Sequence, residues 1–308
     1  MALRNSQDSH GHIRLGRGLS PRAFAESVGL SESSIRRWVD SGIIRATKTA
    51  GGHRRISIAE ALKLIRGRGL HVVRPDLLAL DAEGLDAADS PDRVTDRLYR
   101  LFSDGQASEA CALVTSLFVQ GWSAAEICDG PLRESMQRIG EMQQDDATGI
   151  FIEHRASENC VRVLNHLSGY IGSNRDAPVA LGGALAGDLF QIPSLMASVV
   201  LSAEGFQSIN TGADTPLDAL RAAVACQQPI LVWLSMSVST IPPTVISRVR
   251  VFASELERAG VSLVVGGRGV KRCRSSLPPS VHHASTMREL AAFARGLRAA
   301  AGRDGHLQ

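Results

Sequence analysis

Lysine is all but missing from this 308-residue chain: Lys48, Lys63 and Lys271 are the only three, and arginine supplies the rest of its 34 cationic side chains. That bias hints at a GC-rich genome and carries no mechanism. Long apolar runs are missing too. No segment approaches the roughly 18 consecutive apolar residues that a membrane span requires, so no membrane association is expected. Met1 to Arg14 is polar and holds no apolar stretch of the signal-peptide kind, and a cytoplasmic location is expected. Cysteine is sparse: Cys111, Cys128, Cys160, Cys226 and Cys273 are scattered, odd in number and without a CxxC pair. This suits a reducing compartment and argues against a structural zinc site. The chain also lacks a GxSxG elbow, a GxxxxGK(S/T) loop and an HExxH helix, so no enzyme activity, catalytic residue or metal site is expected. Gly266-Gly267-Arg268-Gly269 follows an apolar run, but the rest of a dinucleotide fingerprint does not come after it.

What is present fits a globular chain with room for two or three domains, 44% of it hydrophobic. Its charge is uneven. Between His12 and Leu70, ten arginines and two lysines oppose only Glu26, Glu32, Asp40 and Glu60, giving +8, while the whole chain carries +3. Residues 1–11 balance, so the remainder carries −5. A basic segment on an acidic body is the footprint of nucleic-acid binding, although a solvated charged face gives the same count.

Pattern separates the two. Ser20 and Pro21 form a helix start, Ala23, Phe24 and Val28 an apolar face, and Gly29 a stop. Ser31 caps a second helix through Asp40 with Ile35, Trp38 and Val39 inward, Trp38 being read as core, and Ser33, Ser34, Arg36 and Arg37 towards the other side. Ile43 to Ser57 reads as a hairpin with a Gly51-Gly52 tip among cations, and Ile58 opens a third helix using Ala61, Leu62 and Ile65. Ser31 to Ile56, with its Ile35-Arg36-Arg37-Trp38 core and Gly51-Gly52-His53-Arg54-Arg55 tip, resembles the winged helix-turn-helix of the MerR family. The resemblance covers about the first 70 residues and implies a domain over 12–70. It makes Ser33, Ser34 and Arg36 candidates for base or nearby backbone contacts in duplex DNA. Arg37, Lys48, His53, Arg54 and Arg55 become candidates for phosphate contacts, with His53 also readable as a loop histidine without a role.

Composition shifts at His71. Pro75 and Pro91 bracket Asp76, Asp81, Glu83, Asp86 and Asp89, which reads as a flexible acidic linker over 71–92. Residues 93–175 then carry four stretches of helical periodicity: Val94 to Phe102, Ala110 to Phe118, Ile127 to Met142 and Phe151 to Leu167, a four-helix bundle. In residues 177–300, three apolar runs, Val179 to Leu185, Pro229 to Leu234 and Val261 to Val265, alternate with helical patterns. Alternation of this kind specifies a doubly wound parallel α/β sheet with a ligand crevice at the carboxyl ends of its strands. The loops at Asp188, Ser235-Met236-Ser237 and Gly266-Gly267 fall at those ends. His166 is read as structural, and His282 and His283 have no partner pattern.

Nearly the whole chain resembles the CarH type of cobalamin-binding photoreceptor repressor. The likeness rests on the basic module, on Ile139-Gly140-Glu141-Met142 and Glu153-His154, and on Asp188, Ser235, Ser237, Gly266 and Gly267. Glu153 and His154 are adjacent on a helix and point apart, so they line a polar pocket or serve the helix surface rather than form an acid–base pair. Four departures matter. Where the family pattern Asp-x-His-x-x-Gly supplies the lower cobalt ligand, this chain has Phe190, and Pro193 replaces the glycine. The tryptophan that covers the adenosyl group corresponds to Gln143, and the second candidate ligand to Gln144. A phenyl ring cannot coordinate cobalt and is expected to fill the shaft for the nucleotide tail; proline forbids left-handed backbone.

The resulting expectation is a transcriptional repressor of the CarH type that binds a DNA operator as a homo-oligomer, dimer or tetramer, and has lost its cobalamin-dependent light switch. No cofactor is expected; another small ligand, a protein partner or nothing would regulate it. The alternative is cobalamin held with its own base on the metal, without a protein histidine. An antirepressor acting purely as an interaction protein, and a corrinoid carrier for methyl transfer, are further readings. The basic module opposes both.

Overall fold

The computed structural model describes residues 18–81, 90–142, 147–172, 176–238, 241–270 and 274–304. Gln143 and Gln144 lie outside the described residues. The chain divides into two units, residues 1–83 and 84–308.

In the first unit, Ser20 accepts the Ala23 amide and opens α1 (Pro21–Ser27) with proline at its first position. Gly29, at φ +67°, makes the turn into α2 (Glu32–Asp40), which Ser31 caps through the Ser34 amide. Strands β1 (Thr47–Lys48) and β2 (Arg54–Arg55) pair antiparallel. Gly52, at φ +77°, lets the tip close, its amide donating to the Thr49 carbonyl at 2.8 Å. α3 (Ile58–Arg68) starts on Ser57 and ends on left-handed Gly69. Phe24, Ile35, Ile44, Ile56 and Ile65 make the buried centre. Trp38 is half-buried rather than core, and the Arg68 guanidinium lies 4.9 Å over its ring.

The acidic linker does not begin at His71. The amides of Val73 and Arg74 both donate to the Ser27 carbonyl, and Leu78 and Leu80 are buried. The apolar run Leu77-Leu78-Ala79-Leu80 anchors this stretch to the end of α1. At the other boundary Ser90 caps the next helix, so Pro91 and Asp92 are helical.

The second unit starts with α4 (Pro91–Asp104), α5 (Ala107–Val119), α6 (Ala124–Ile127), α7 (Arg133–Met142) and α8 (Ala147–Ile171). The third helical stretch read from the sequence is broken between α6 and α7 by a wide turn at Cys128–Leu132, where Gly130 is non-helical and Pro131 has no N–H to donate. The sheet module runs β3 (Val179–Ala184), α9 (Gln191–Ala203), β4 (Gln207–Asn210), α10 (Leu217–Gln227), β5 (Leu231–Ser235), α11 (Pro243–Arg258), β6 (Ser262–Gly266), β7 (His282–Ala284) and α12 (Met287–Asp304). All five strands are parallel in the order β4-β3-β5-β6-β7. The three apolar runs are the three central strands; the edge strands β4 and β7 carry no such signal.

Bundle and sheet share one core, since Met196, Val199 and Val200 of α9 and Ala291 of α12 pack among the bundle residues. A polar clamp joins them as well. Asp129, buried in the broken turn, accepts the amides of Met287 and Arg288 at 2.8 and 2.9 Å, while Thr286 accepts those of Glu289 and Leu290. The amides of Met287, Arg288 and Glu289, which have no acceptor within α12, are thereby satisfied, and Leu290 makes the first bond of the helix itself. Asp129→Ala strands two of them and is expected to destabilise the second unit by about 1–3 kcal/mol in urea titration, with Asp129→Asn losing less. Equal stability for the three proteins would remove the clamp from the account.

Candidate functional site

Two surfaces gather the residues singled out by sequence. In the first unit, the exposed Ser33 hydroxyl and the half-buried Ser34 hydroxyl lie 2.9 Å from Ser31 Oγ, so both hydroxyls are engaged at the start of α2. Arg36 pairs with Glu32 at 2.7 Å on the same helix. Arg54 pairs with Asp40, tying the hairpin to the last residue of α2, and half-buried Arg55 donates to the Arg54 carbonyl at 3.4 Å. Arg37, Lys48 and His53 are exposed, and among the described residues no carboxylate pairs with them. The unit therefore offers free cations on α2 and on the hairpin, beside two arginines held by acids.

The second surface is the carboxyl end of the parallel sheet. Asp188 follows β3 and is 1% exposed. One carboxylate oxygen accepts the Phe190 amide at 3.0 Å and the other accepts the Ser237 amide, so the side chain locks two loops together. Ser235 and Ser237 are buried with their hydroxyls 3.3 Å apart. Gly267, at φ +106°, brings its chain so close to Met236 that a Cβ there would sit 2.4 Å from the Met236 carbonyl oxygen. The glycine pair thus serves backbone approach. Phe190 is 50% exposed and Leu189 75% exposed. The expectation that Phe190 plugs a buried shaft is corrected: its ring stands in solvent, with the Arg268 guanidinium 5.8 Å from its centroid. Pro193 sits in the first turn of α9, where its missing N–H costs nothing.

Sequence reasoning missed the polar chain beneath this end. Trp233 of β5 donates through Nε1 to Ser194 Oγ at 3.1 Å, and Ser194 donates to Asn210 Oδ1 at 2.8 Å. The indole lies over Gly182, its register partner on β3. A glycine facing a tryptophan in adjacent apolar runs is the signal that could have found it. Glu153 and His154 are exposed on α8, as are Ile150 and Phe151; the latter carries Arg155 over its ring at 4.9 Å and was expected to pack inward. His166 is edge-on to Tyr170, and burial pushes its pKa down. Burial likewise lowers His282, which stacks on Phe293, and His283. Among the described residues no group of three or more His, Cys, Asp or Glu is placed to hold a metal ion.

Set against solved structures, this geometry has a clear relative. The chain is similar in fold to a corrinoid protein. That structure is the monomethylamine corrinoid protein of Methanosarcina barkeri, at TM-score 0.50 and 19% identity, covering 68% of this chain and 100% of that one. The likeness shows that the second unit shares the parallel α/β fold of that corrinoid protein. Weaker matches are a methanol:cobalamin methyltransferase complex of the same organism (TM-score 0.37, 14% identity, 70% and 86% covered) and a cobalamin-binding protein of Desulfitobacterium hafniense DCB-2 (0.33, 18%, 67% and 96%). No family model and no curated protein matches the sequence. No described helix is long and apolar enough to cross a membrane.

The residues present do not fit cobalamin ligated from below by the protein. The position that the resemblance assigns to the ligand holds a phenyl ring, which has no donor atom for cobalt, and the nearby Asp188 carboxylate bonds the Phe190 and Ser237 amides instead of an imidazole.

Proposed function

We propose that the chain is a DNA-binding transcriptional repressor, acting as a homo-oligomer on a duplex operator, whose second unit keeps the corrinoid-protein fold without a protein-ligated cobalamin. The observation that carries the regulatory reading is the first unit's set of unpaired cations on two neighbouring elements, Arg37 of α2 and Lys48 and His53 of the hairpin. The loss of the cofactor rests on Phe190, half exposed, standing where the resemblance places a histidine ligand, beside an Asp188 that bonds two backbone amides. Paired reading heads suit this unit, because one small head rarely reaches useful specificity alone.

The test is to select duplexes from a random library with the full-length protein and measure affinity against salt. Sites are expected as repeated half-sites about 34 Å apart or a multiple of it. Arg37→Ala and Lys48→Ala should each weaken all duplexes alike and reduce the salt slope by about one. A protein that enriches no sequence and shows no salt-dependent binding contradicts the regulatory reading. The second reading, cobalamin bound with its own base on the metal, is favoured by the likeness in fold to a corrinoid protein, since that mode needs no protein histidine.

A further inference from the structure

We propose that the exposed loop after β3, together with Arg268 after β6, binds a small, flat aromatic anion that stacks on Phe190 and Leu189 and pairs with Arg268. The inference rests on the reading that no protein-ligated cobalamin occupies this end, and it names the ligand chemistry of that site.

Two large apolar side chains in water on adjacent residues are unusual where the backbone is free to turn them inward. This backbone is not free. The Asp188 amide donates to the Leu185 carbonyl at 2.8 Å, and its own carbonyl accepts the Asp214 amide at 2.9 Å. The Gly187 amide donates to Asp214 Oδ1 at 2.7 Å, and the buried Asp188 carboxylate holds the Phe190 amide from below. The loop is pinned on both sides in a conformation that presents Leu189 and Phe190 outward, at the edge where doubly wound sheets bind ligands. Preorganised apolar surface of this kind is a binding surface.

Charge selects the occupant. Arg268 leans over the Phe190 ring, and among the described residues no carboxylate pairs with it. On the outer helices, Arg221 and Arg248 are instead tied to Asp218, and Arg295 to Glu204. A guanidinium fork held over a ring, without an acid, matches a carboxylate, sulfonate or phosphate carried on an aromatic body: the ring stacks and the anion takes the fork.

The test uses the full-length protein and two fluorescent naphthalenes of similar shape, anionic 1-anilinonaphthalene-8-sulfonate and neutral N-phenyl-1-naphthylamine. The anion is expected to bind saturably at one per chain. Phe190→Ala should weaken both probes at least tenfold. Arg268→Gln should weaken the anion about tenfold and leave the neutral probe unchanged. Phe151→Ala, at another exposed ring, should change neither, and circular dichroism with thermal melting shows whether each variant is folded. Absence of saturable binding overturns the proposal, as does equal sensitivity to Phe151→Ala and Phe190→Ala. Displacement of the anion by one equivalent of cobalamin overturns it too, and self-association lost in Phe190→Ala without probe binding makes the face a contact between copies. DNA affinity of the same variants is read separately, so failure of the repressor reading leaves this result standing.

Discussion

Arg54→Glu combined with Arg55→Glu is expected to lower operator affinity of the full-length protein by about 100-fold, close to 3 kcal/mol. Two effects add. Both reversals turn cations on the hairpin against phosphates, which carry most of non-specific affinity. The change at position 54 also sets a glutamate against Asp40, where the native protein has an ion pair joining the hairpin to α2. The pair itself is half exposed and worth no more than about 1 kcal/mol to stability, so a variant that stays folded and loses DNA has lost geometry and charge rather than its core. Exchanging the partners separates these contributions: Asp40→Arg with Arg54→Asp should recover the greater part of the affinity lost in Arg54→Asp alone. If Arg54 instead grips a phosphate directly, as the sequence resemblance implies, the exchange recovers nothing and the salt slope stays reduced by about one.

A second large effect lies in the sheet. Gly182→Ala places a Cβ 2.1 Å from the Trp233 carbonyl oxygen and 2.3 Å from Cδ2 of its ring. Neither strand can give, because β3 is hydrogen-bonded to β4 on one side and β5 on the other. The expected cost is about 3 kcal/mol or more, at the upper end for overpacking. Gly182→Ala with Trp233→Leu should recover only part of it, since the ring clash is relieved and the backbone clash is not. Gly169→Ala offers the opposite sign from the same chemistry. That glycine is exposed within α8, its new Cβ would meet nothing within 4 Å, and the helix should gain roughly 0.5–1 kcal/mol. Urea unfolding of the three variants reads all of these, and a neutral Gly182→Ala would refute the strand register described here.

The contrast between these glycines shows where the sequence was readable. Central strands bury both faces and write themselves as apolar runs, so β3, β5 and β6 stood out. β4, Gln-Ser-Ile-Asn, and β7, three residues with two histidines, are short edge strands whose identity comes from their neighbours. The stretch after His71 misled because the bracketing prolines and the spread of acids from Asp76 to Asp89 read as a solvated linker, yet Leu78 and Leu80 decide where it packs. At the candidate site, Asp188, Ser235, Ser237 and Gly267 could be named by position but their use could not. Each spends itself on a loop from elsewhere in the chain. Partners 39 and 158 residues apart, as in the Trp233–Ser194 and Asp129–Met287 bonds, leave no local trace. Phe190 was visible as a departure; only the fold showed it standing in solvent with Arg268 across its ring.

The central claim is that the corrinoid-type module works without a corrinoid held by the protein. Its most direct test is to incubate the purified full-length chain with adenosyl-, methyl- and hydroxocobalamin, in darkness and in light, then follow the absorbance, mass and DNA affinity of the eluted protein after gel filtration. The account predicts colourless protein, with mass and DNA affinity indifferent to cobalamin and to illumination. One equivalent of retained cobalamin, or DNA affinity lost on illumination with adenosylcobalamin alone, contradicts it.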